Sequence, residues 1–355
     1  MEVRNRTLAA LGFLLAVISF AAEAASADGY VAQELGRLHE DDYEIKAVSI
    51  NNWGQIVGSS VNYSRTDGNR AVMWTNGSVA DLGTLPGGGG SEAYAINDAG
   101  QVLGWSSGQG QFGQAVLWSP GSAIMSLGWW QAAAMNNSGW GVGSLNVGLY
   151  RHSFLWTSAT GLTDIGMPGG TNSRATGIND AGKIVGWAGD SLRSQAWLRN
   201  SDGTVVSLGN LGPESRATGI NNSDQVVGYY VVNCVSRPFI WSASTGMQEV
   251  PIDGFADGRA SAINNLGQVA GTVASRDGKS FGFIWSSSTG MIVLGGPSRI
   301  TEAYDINDAG WVVGESWDTS NGYHAMLWTT IPEPSSLAAI LAGLAGLGAV
   351  GWRRR

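Results

Sequence analysis

Short apolar runs alternating with small and polar residues return along this chain at a nearly constant spacing. AYAINDAGQVLGW, from Ala93 to Trp105, reappears as RATGINDAGKIVGW from Arg174 and as AYDINDAGWVVG from Ala303. Aligning the chain on itself finds seven copies, led by Asn51, Asn97, Asn136, Asn179, Asn221, Asn264 and Asn307, at gaps of 46, 39, 43, 42, 43 and 43 residues. Each copy breaks into four pieces of strand length, too short for helices. The first is Ala-x-small-Ile-Asn, as in Ala175–Asn179, with Met135 in the Ile position once. The second is an apolar run closed by Gly, as in Lys183–Gly186. The third ends in Trp74, Trp118, Trp156, Trp197, Trp241, Trp285 or Trp328, and the fourth carries Leu-Gly or a close variant, as in Ser207–Gly209.

The segment between the first two pieces predicts a hairpin turn. Asn starts it because its side chain can bond the backbone two residues on. Gly54, Gly100, Gly139, Gly182, Gly267 and Gly310 supply positive φ. The fifth copy has Asp224 there, a residue that tolerates the left-handed region. Calcium binding is the competing reading, but carboxylates occur only at Asp98, Asp180 and Asp308, too few charged oxygens per loop for a hard cation.

Four strands about every 43 residues, seven times over, predict an all-β fold: a seven-bladed β-propeller of four-stranded blades. Tyr30–Gly36 looks like a fourth strand with no blade ahead of it, and the last copy stops after its third strand at Trp328. The N-terminal strand is therefore expected to complete the last blade and close the ring, protecting an otherwise open edge. That places Ala-x-x-Ile-Asn innermost and the seven Trp between neighbouring blades. An open array is the rival architecture, but it needs polar capping repeats.

The two ends change the picture. Arg4 and Arg6 precede an apolar run from Leu8 to Phe20 and then small residues, the pattern of a signal peptide over residues 1–27, cut after Ala24 or after Ala27. At the other end, residues 332–355 read PEPSSLAAILAGLAGLGAVGWRRR. Leu337–Trp352 would make a short transmembrane helix of about 24 Å, with the terminal arginines held at the cytoplasmic interface. Pro332, Glu333 and Pro334, the apolar stretch, and Arg353, Arg354 and Arg355 together resemble the PEP-CTERM sorting signal. That resemblance implies recognition by an exosortase-type membrane protease, transient residence in the inner membrane, and a Gram-negative host making exopolysaccharide. Between them lies the propeller, residues 28–331. Once Glu2, Glu23, Glu333 and the five terminal arginines are set aside, it carries 25 acidic and 15 basic side chains, which speaks against nucleic-acid binding. Cys234 is the single cysteine, so no internal disulfide is possible.

The AxxINxxGxVVG…W repeat, from Ala47 to Trp328, resembles the HAF family of extracellular repeat proteins. It implies a secreted or surface protein and brings no catalytic residues to transfer. The residues themselves offer little chemistry. His39, His152 and His324 are far apart, GPESR and GTLPGGGG are not phosphate loops, and no Ser-His-acid or metal-ligand spacing occurs. No cofactor or metal is expected. The acidic group His39, Glu40, Asp41, Asp42 and Glu44 reads as a solvated loop.

One position before each innermost strand stand Lys46, Glu92, Gln131, Arg174, Arg216, Arg259 and Glu302, which a propeller would array around one channel mouth. Variable loops such as SSVNYSRTDGNR and ESWDTSNGYH should flank it. Arg174, Arg216, Arg259 and Lys46 are the candidate ligand-binding residues, for an acidic exopolysaccharide or another anion, since Arg forks pair with carboxylates. Salt bridging within the protein is the plainer use for them. The expectation is a monomeric, non-catalytic surface protein of the biofilm matrix that binds polysaccharide or protein partners. The alternatives are a propeller hydrolase or lyase using Tyr94 or Tyr304 as base, and a purely structural matrix protein.

Overall fold

The structure, a computed structural model, describes residues 26–27 and 29–331 apart from 63–67, 110–112, 167–171, 191–192, 210, 297–299 and 319–321. The sorting residues 332–355 and nearly all of the expected signal peptide lie outside this range. Among the described residues every regular element is a β-strand, and no helix is long and apolar enough to cross a membrane.

The strands fall into repeated antiparallel units, and the architecture is propeller-like. The first unit is Glu44–Ile50, Ile56–Val61, Arg70–Thr75 and Ser78–Asp81, paired in that order. Five further four-stranded sheets follow the same plan. The last repeat supplies Ile300–Ile306, Val312–Asp318 and Gly322–Thr330, and its free edge takes Tyr30–Glu34 in antiparallel register, Ala32 opposite Trp328. Ser26–Ala27 adds a two-residue strand outside that one, which the sequence pattern did not anticipate. A single parallel bridge, Tyr323 to Glu44, ties the last repeat to the first unit.

Apolar cores form between successive units, because each twisted sheet is apolar on both faces. Trp74 packs on Ile45 and Ile56 of its own unit and on Val313, Ala325 and Leu327 of the last. Trp118 meets Val57 and Ala71 of the unit before it, and Trp328 meets Ala270 and Ile284. Six of the seven third-strand tryptophans are at most 9% exposed, and Trp285 is partly buried.

The Asn turns form as the sequence predicts, and they do more. Asn51 Oδ1 accepts the N–H groups of Trp53 and Gln55, while Gly54 has φ 74° and Asp224 has φ 61°. The same asparagine's Nδ2 donates to the carbonyl of Asn97 at 3.0 Å. Asn97, Asn136, Asn179, Asn221 and Asn264 each donate to the next leading Asn in turn, and Asn307 donates back to Asn51 at 3.1 Å. Asp98, Asp180 and Asp308 accept backbone N–H groups of neighbouring units, and among the described residues no acidic or histidine group is arranged to hold a metal. The acidic loop near His39 differs from expectation at two residues: Glu44 is half-buried and opens the first strand, and Asp42 leaves solvent altogether. Asp42 is buried, accepting from Ser60 Oγ at 2.6 Å and from the His39 N–H, because it anchors the loop onto the second strand.

The seam between the last unit and the first carries a buried polar staple. Asp305 stands where the other copies have Ser49, Ala95, Ala134, Gly177, Gly219 or Ala262. Its carboxylate accepts from Ser49 Oγ at 2.8 Å, Ile50 N–H at 3.0 Å and Ile306 N–H. Burial raises its pKa, against the lowering effect of those three donors. A carboxyl whose folded pKa is raised contributes most stability below its unfolded pKa, and that contribution is lost as pH rises through the folded value. Relative to Asp305→Asn, the wild-type melting temperature is therefore expected to fall as pH goes from about 4 to 7. Melts of both proteins across that range check this; a constant difference would show that the staple does not titrate.

Candidate functional site

The end of the molecule opposite the Asn turns is built by a local irregularity repeated in every unit. Each innermost strand carries a β-bulge just after the motif alanine, between Ala47 and Ser49, Ala175 and Gly177, or Ala303 and Asp305, for example. A bulge adds one residue to one strand and re-aims its side chain. It also brings the preceding carbonyl against the second strand. A Cβ on Gly58 would lie 1.8 Å from the Lys46 carbonyl oxygen, and one on Gly314 would lie 1.8 Å from that of Glu302. The Gly that closes each second-strand run is therefore demanded by close approach.

This register pairs every mouth residue with the residue after that glycine. Lys46 faces Ser59, Glu92 faces Trp105, Gln131 faces Ser144 and Arg174 faces Trp187. Arg216 faces Tyr229, Arg259 faces Thr272 and Glu302 faces Glu315. These partners escaped the sequence reading. The signal that finds them is the position directly after the second-strand glycine, where Trp stands twice and Tyr and Glu once each.

The three arginines are brought together through aromatic rings. Arg174 and Arg216 lie 5.9 and 4.3 Å from the centroid of Trp187, and Arg259 lies 4.8 Å from that of Tyr229. The result is a ladder, Arg174–Trp187–Arg216–Tyr229–Arg259, in which ring faces attract the guanidinium charge at three steps and Arg216 faces Tyr229 across paired strands at the remaining one. Arg216 and Arg259 are steadied at Nε by Ser194 Oγ at 3.1 Å and Ser236 Oγ at 3.2 Å. Arg216 also pairs with Glu214 at 2.9 Å, whereas no carboxylate of the described residues lies within ion-pair reach of Arg174 or Arg259. Lys46 is set apart from the ladder. Its ammonium pairs with Glu44 at 2.9 Å and stands 3.8 Å from Glu315, so it is engaged by carboxylates instead of being offered to an anion.

Beside the ladder, a cavity of about 570 Å³ is lined by Tyr94, Trp105, Trp129, Gln131, Asn146 and Arg151, among others. Its charged groups are held in place. Glu92 accepts from Asn69 at 2.8 Å and Tyr94 at 3.2 Å, and Arg151 donates to Gln131 at 3.0 Å and Asn146 at 3.2 Å. Tyr94 and Tyr304 both have pKa values raised, first by burial and then by neighbouring glutamates, so both hydroxyls stay protonated and act as donors. Parts of the flanking loops, including 63–67 and 319–321, lie outside the described residues.

Comparison with known proteins bears on the end of the chain and on the fold. Residues 330–355 match the family model described as the PEP-CTERM protein-sorting motif. No curated protein matches the chain. Among solved structures, a streptogramin B lyase aligns at 9% identity and TM-score 0.59, covering 86% of this chain and 100% of its own. An acylaminoacyl peptidase of Pyrococcus horikoshii aligns at 10% identity and TM-score 0.59 over 87% of this chain, and a puromycin-hydrolyzing peptidase of Mycobacterium tuberculosis at 9% and 0.58 over 86%. This chain spans 56% of each peptidase. At such identities the likeness is one of fold, a β-propeller-like all-β architecture. The sorting motif marks the protein for export across the inner membrane to the cell surface or beyond, and it implies processing by exosortase.

Proposed function

We propose that this protein is a closed seven-bladed propeller of the HAF-repeat type, acting at the cell surface as a non-catalytic binding protein for acidic polysaccharide. The cycle of asparagine bonds that returns from Asn307 to Asn51, and the pairing of Tyr30–Glu34 with the last repeat, support closure and the blade count. The arginine ladder carries the functional reading. Two of its three guanidinium groups have no carboxylate partner among the described residues, and aromatic faces stand between them. A polyuronate chain presents carboxylates to guanidinium forks and flat sugar rings to aromatic faces, so it matches both features. Export to the cell surface supports this reading, since an extracellular polysaccharide is a ligand that only an exported protein meets. The protonated tyrosines weigh against the base that a propeller lyase would need, and a monomer suffices for binding.

Changing Arg174, Arg216 and Arg259 together to Ala is expected to weaken polyuronate binding at least about tenfold and to flatten its salt dependence, because rim charges govern encounter. Retention on immobilised polygalacturonate, with product analysis of the same samples, checks this. Unchanged retention would remove the ladder from the site; released oligosaccharides would favour an enzyme; neither retention nor product would favour a structural role.

A further inference from the structure

Where the last unit meets the first, the mouth changes sign. A cavity of about 270 Å³ there is lined by Ile300, Glu302, Glu315, Trp317 and Tyr323. Glu302 and Glu315 oppose each other across the innermost and second strands. The bulge aims Tyr304 between them, and its hydroxyl donates to Glu302 Oε2 at 3.0 Å and also reaches Glu315. Glu315 is 6% exposed, and its Oε2 accepts no hydrogen bond. The ammonium of Lys46, at 3.8 Å, is its nearest cation and bonds Glu44 more closely. Burial holds the Glu315 carboxyl above its ordinary range, in spite of Lys46 and Tyr304. A buried carboxyl oxygen without a donor is costly, and a cation delivered to it removes that cost.

Lys46 itself shows that a primary ammonium fits these surroundings, since its Nζ lies 5.3 Å from the centroid of the Tyr323 ring. Trp317 and Tyr323 stand 6.4 Å apart with ring planes tilted by 46°, giving an apolar wall beside the carboxyls. The volume is just below the usual range for drug-sized ligands, which suits a single sugar unit.

We infer that this cavity is a subsite for a protonated amino sugar, with its ammonium directed to Glu315 and Glu302 and its ring against Trp317 and Tyr323. The inference rests on the reading of the mouth as a polysaccharide site, and it narrows the ligand to a chain bearing both carboxylate and ammonium groups. The arginine ladder takes the first and the glutamate pair takes the second.

The test is calorimetric titration of the exported protein at pH 6 with a glucosamine tetramer, an N-acetylglucosamine tetramer and a polygalacturonate oligomer. The glucosamine tetramer is expected to bind, and the acetylated one at least about tenfold more weakly, because its amide carries no charge. E302Q and E315Q should each weaken glucosamine binding about tenfold and leave polygalacturonate unaffected. Melting curves accompany both variants, and E302Q, at a half-buried residue, decides the matter where E315Q unfolds early. Equal affinity for the two tetramers, or glucosamine binding indifferent to E302Q, overturns the proposal. So does an oligolysine peptide that responds to E302Q while the sugar does not bind. Glucosamine behaving as expected while polygalacturonate fails to bind would remove the ladder reading and keep this one.

Discussion

Trp74→Ala is expected to lower the unfolding free energy by about 3–5 kcal/mol, the range for truncating a large buried aromatic. Trp74 is 2% exposed and lies in a core shared by two units, with Ile45 and Ile56 from its own and Val313 and Leu327 from the last. Its indole N–H donates to the Gly36 carbonyl at 2.6 Å, so truncation also leaves a backbone acceptor unpaired. Propeller-like units contact only their neighbours, and the cavity cannot close without shifting a whole sheet. Chemical denaturation checks the value. Leu149→Ala, at a residue 93% exposed, is the control and should stay within about 0.5 kcal/mol of the parent. A Trp74 variant as stable as that control would mean that the interface between units is not where stability resides.

Deleting residues 30–36 should have a comparable or larger effect. Tyr30 packs with Trp328 in one core and Leu35 with Trp74 in the next, so the segment seals both faces of the last unit. Burial of these two side chains is worth about 1.5–3 kcal/mol each. The Leu35 N–H bonds the Ala325 carbonyl, and Glu34 pairs with His324 at 2.7 Å; neither interaction survives removal of the strand. The deletion would also bare the edge of Gly322–Thr330, a template for pairing between molecules. The expected outcome is a fall in melting temperature accompanied by concentration-dependent association, read by calorimetry and light scattering. A melting temperature equal to that of the parent would show that the leading segment is dispensable for closure.

The arginine positions of the candidate site were legible in the sequence, because they hold one place in a regular repeat. Their partners were not. Trp187 reaches Arg216 from the preceding unit, and Lys46 of the first unit reaches Glu315 of the last across the seam. Such pairs are separated by tens to hundreds of residues, and only the packing of one sheet against another brings them together. The bulge compounds the difficulty, since one extra residue in an innermost strand shifts its facing partners without altering the apolar pattern.

What the chain determines by itself is local or linear. The spacing of the copies, the strand type of each piece and the Asn turns follow from interactions spanning a few residues, such as Asn51 Oδ1 with the N–H groups of Trp53 and Gln55. The sorting motif belongs here too, because residues 330–355 match it as a short linear pattern. Tertiary structure alone decided that the same asparagine's Nδ2 links neighbouring units, that Gly58 is required by a carbonyl 1.8 Å from its missing Cβ, and that Glu315 is buried beside Glu302. Hydrogen bonds within a turn are set by covalent geometry along the chain. Contacts between units depend on how twisted sheets settle against one another, which no stretch of a dozen residues contains.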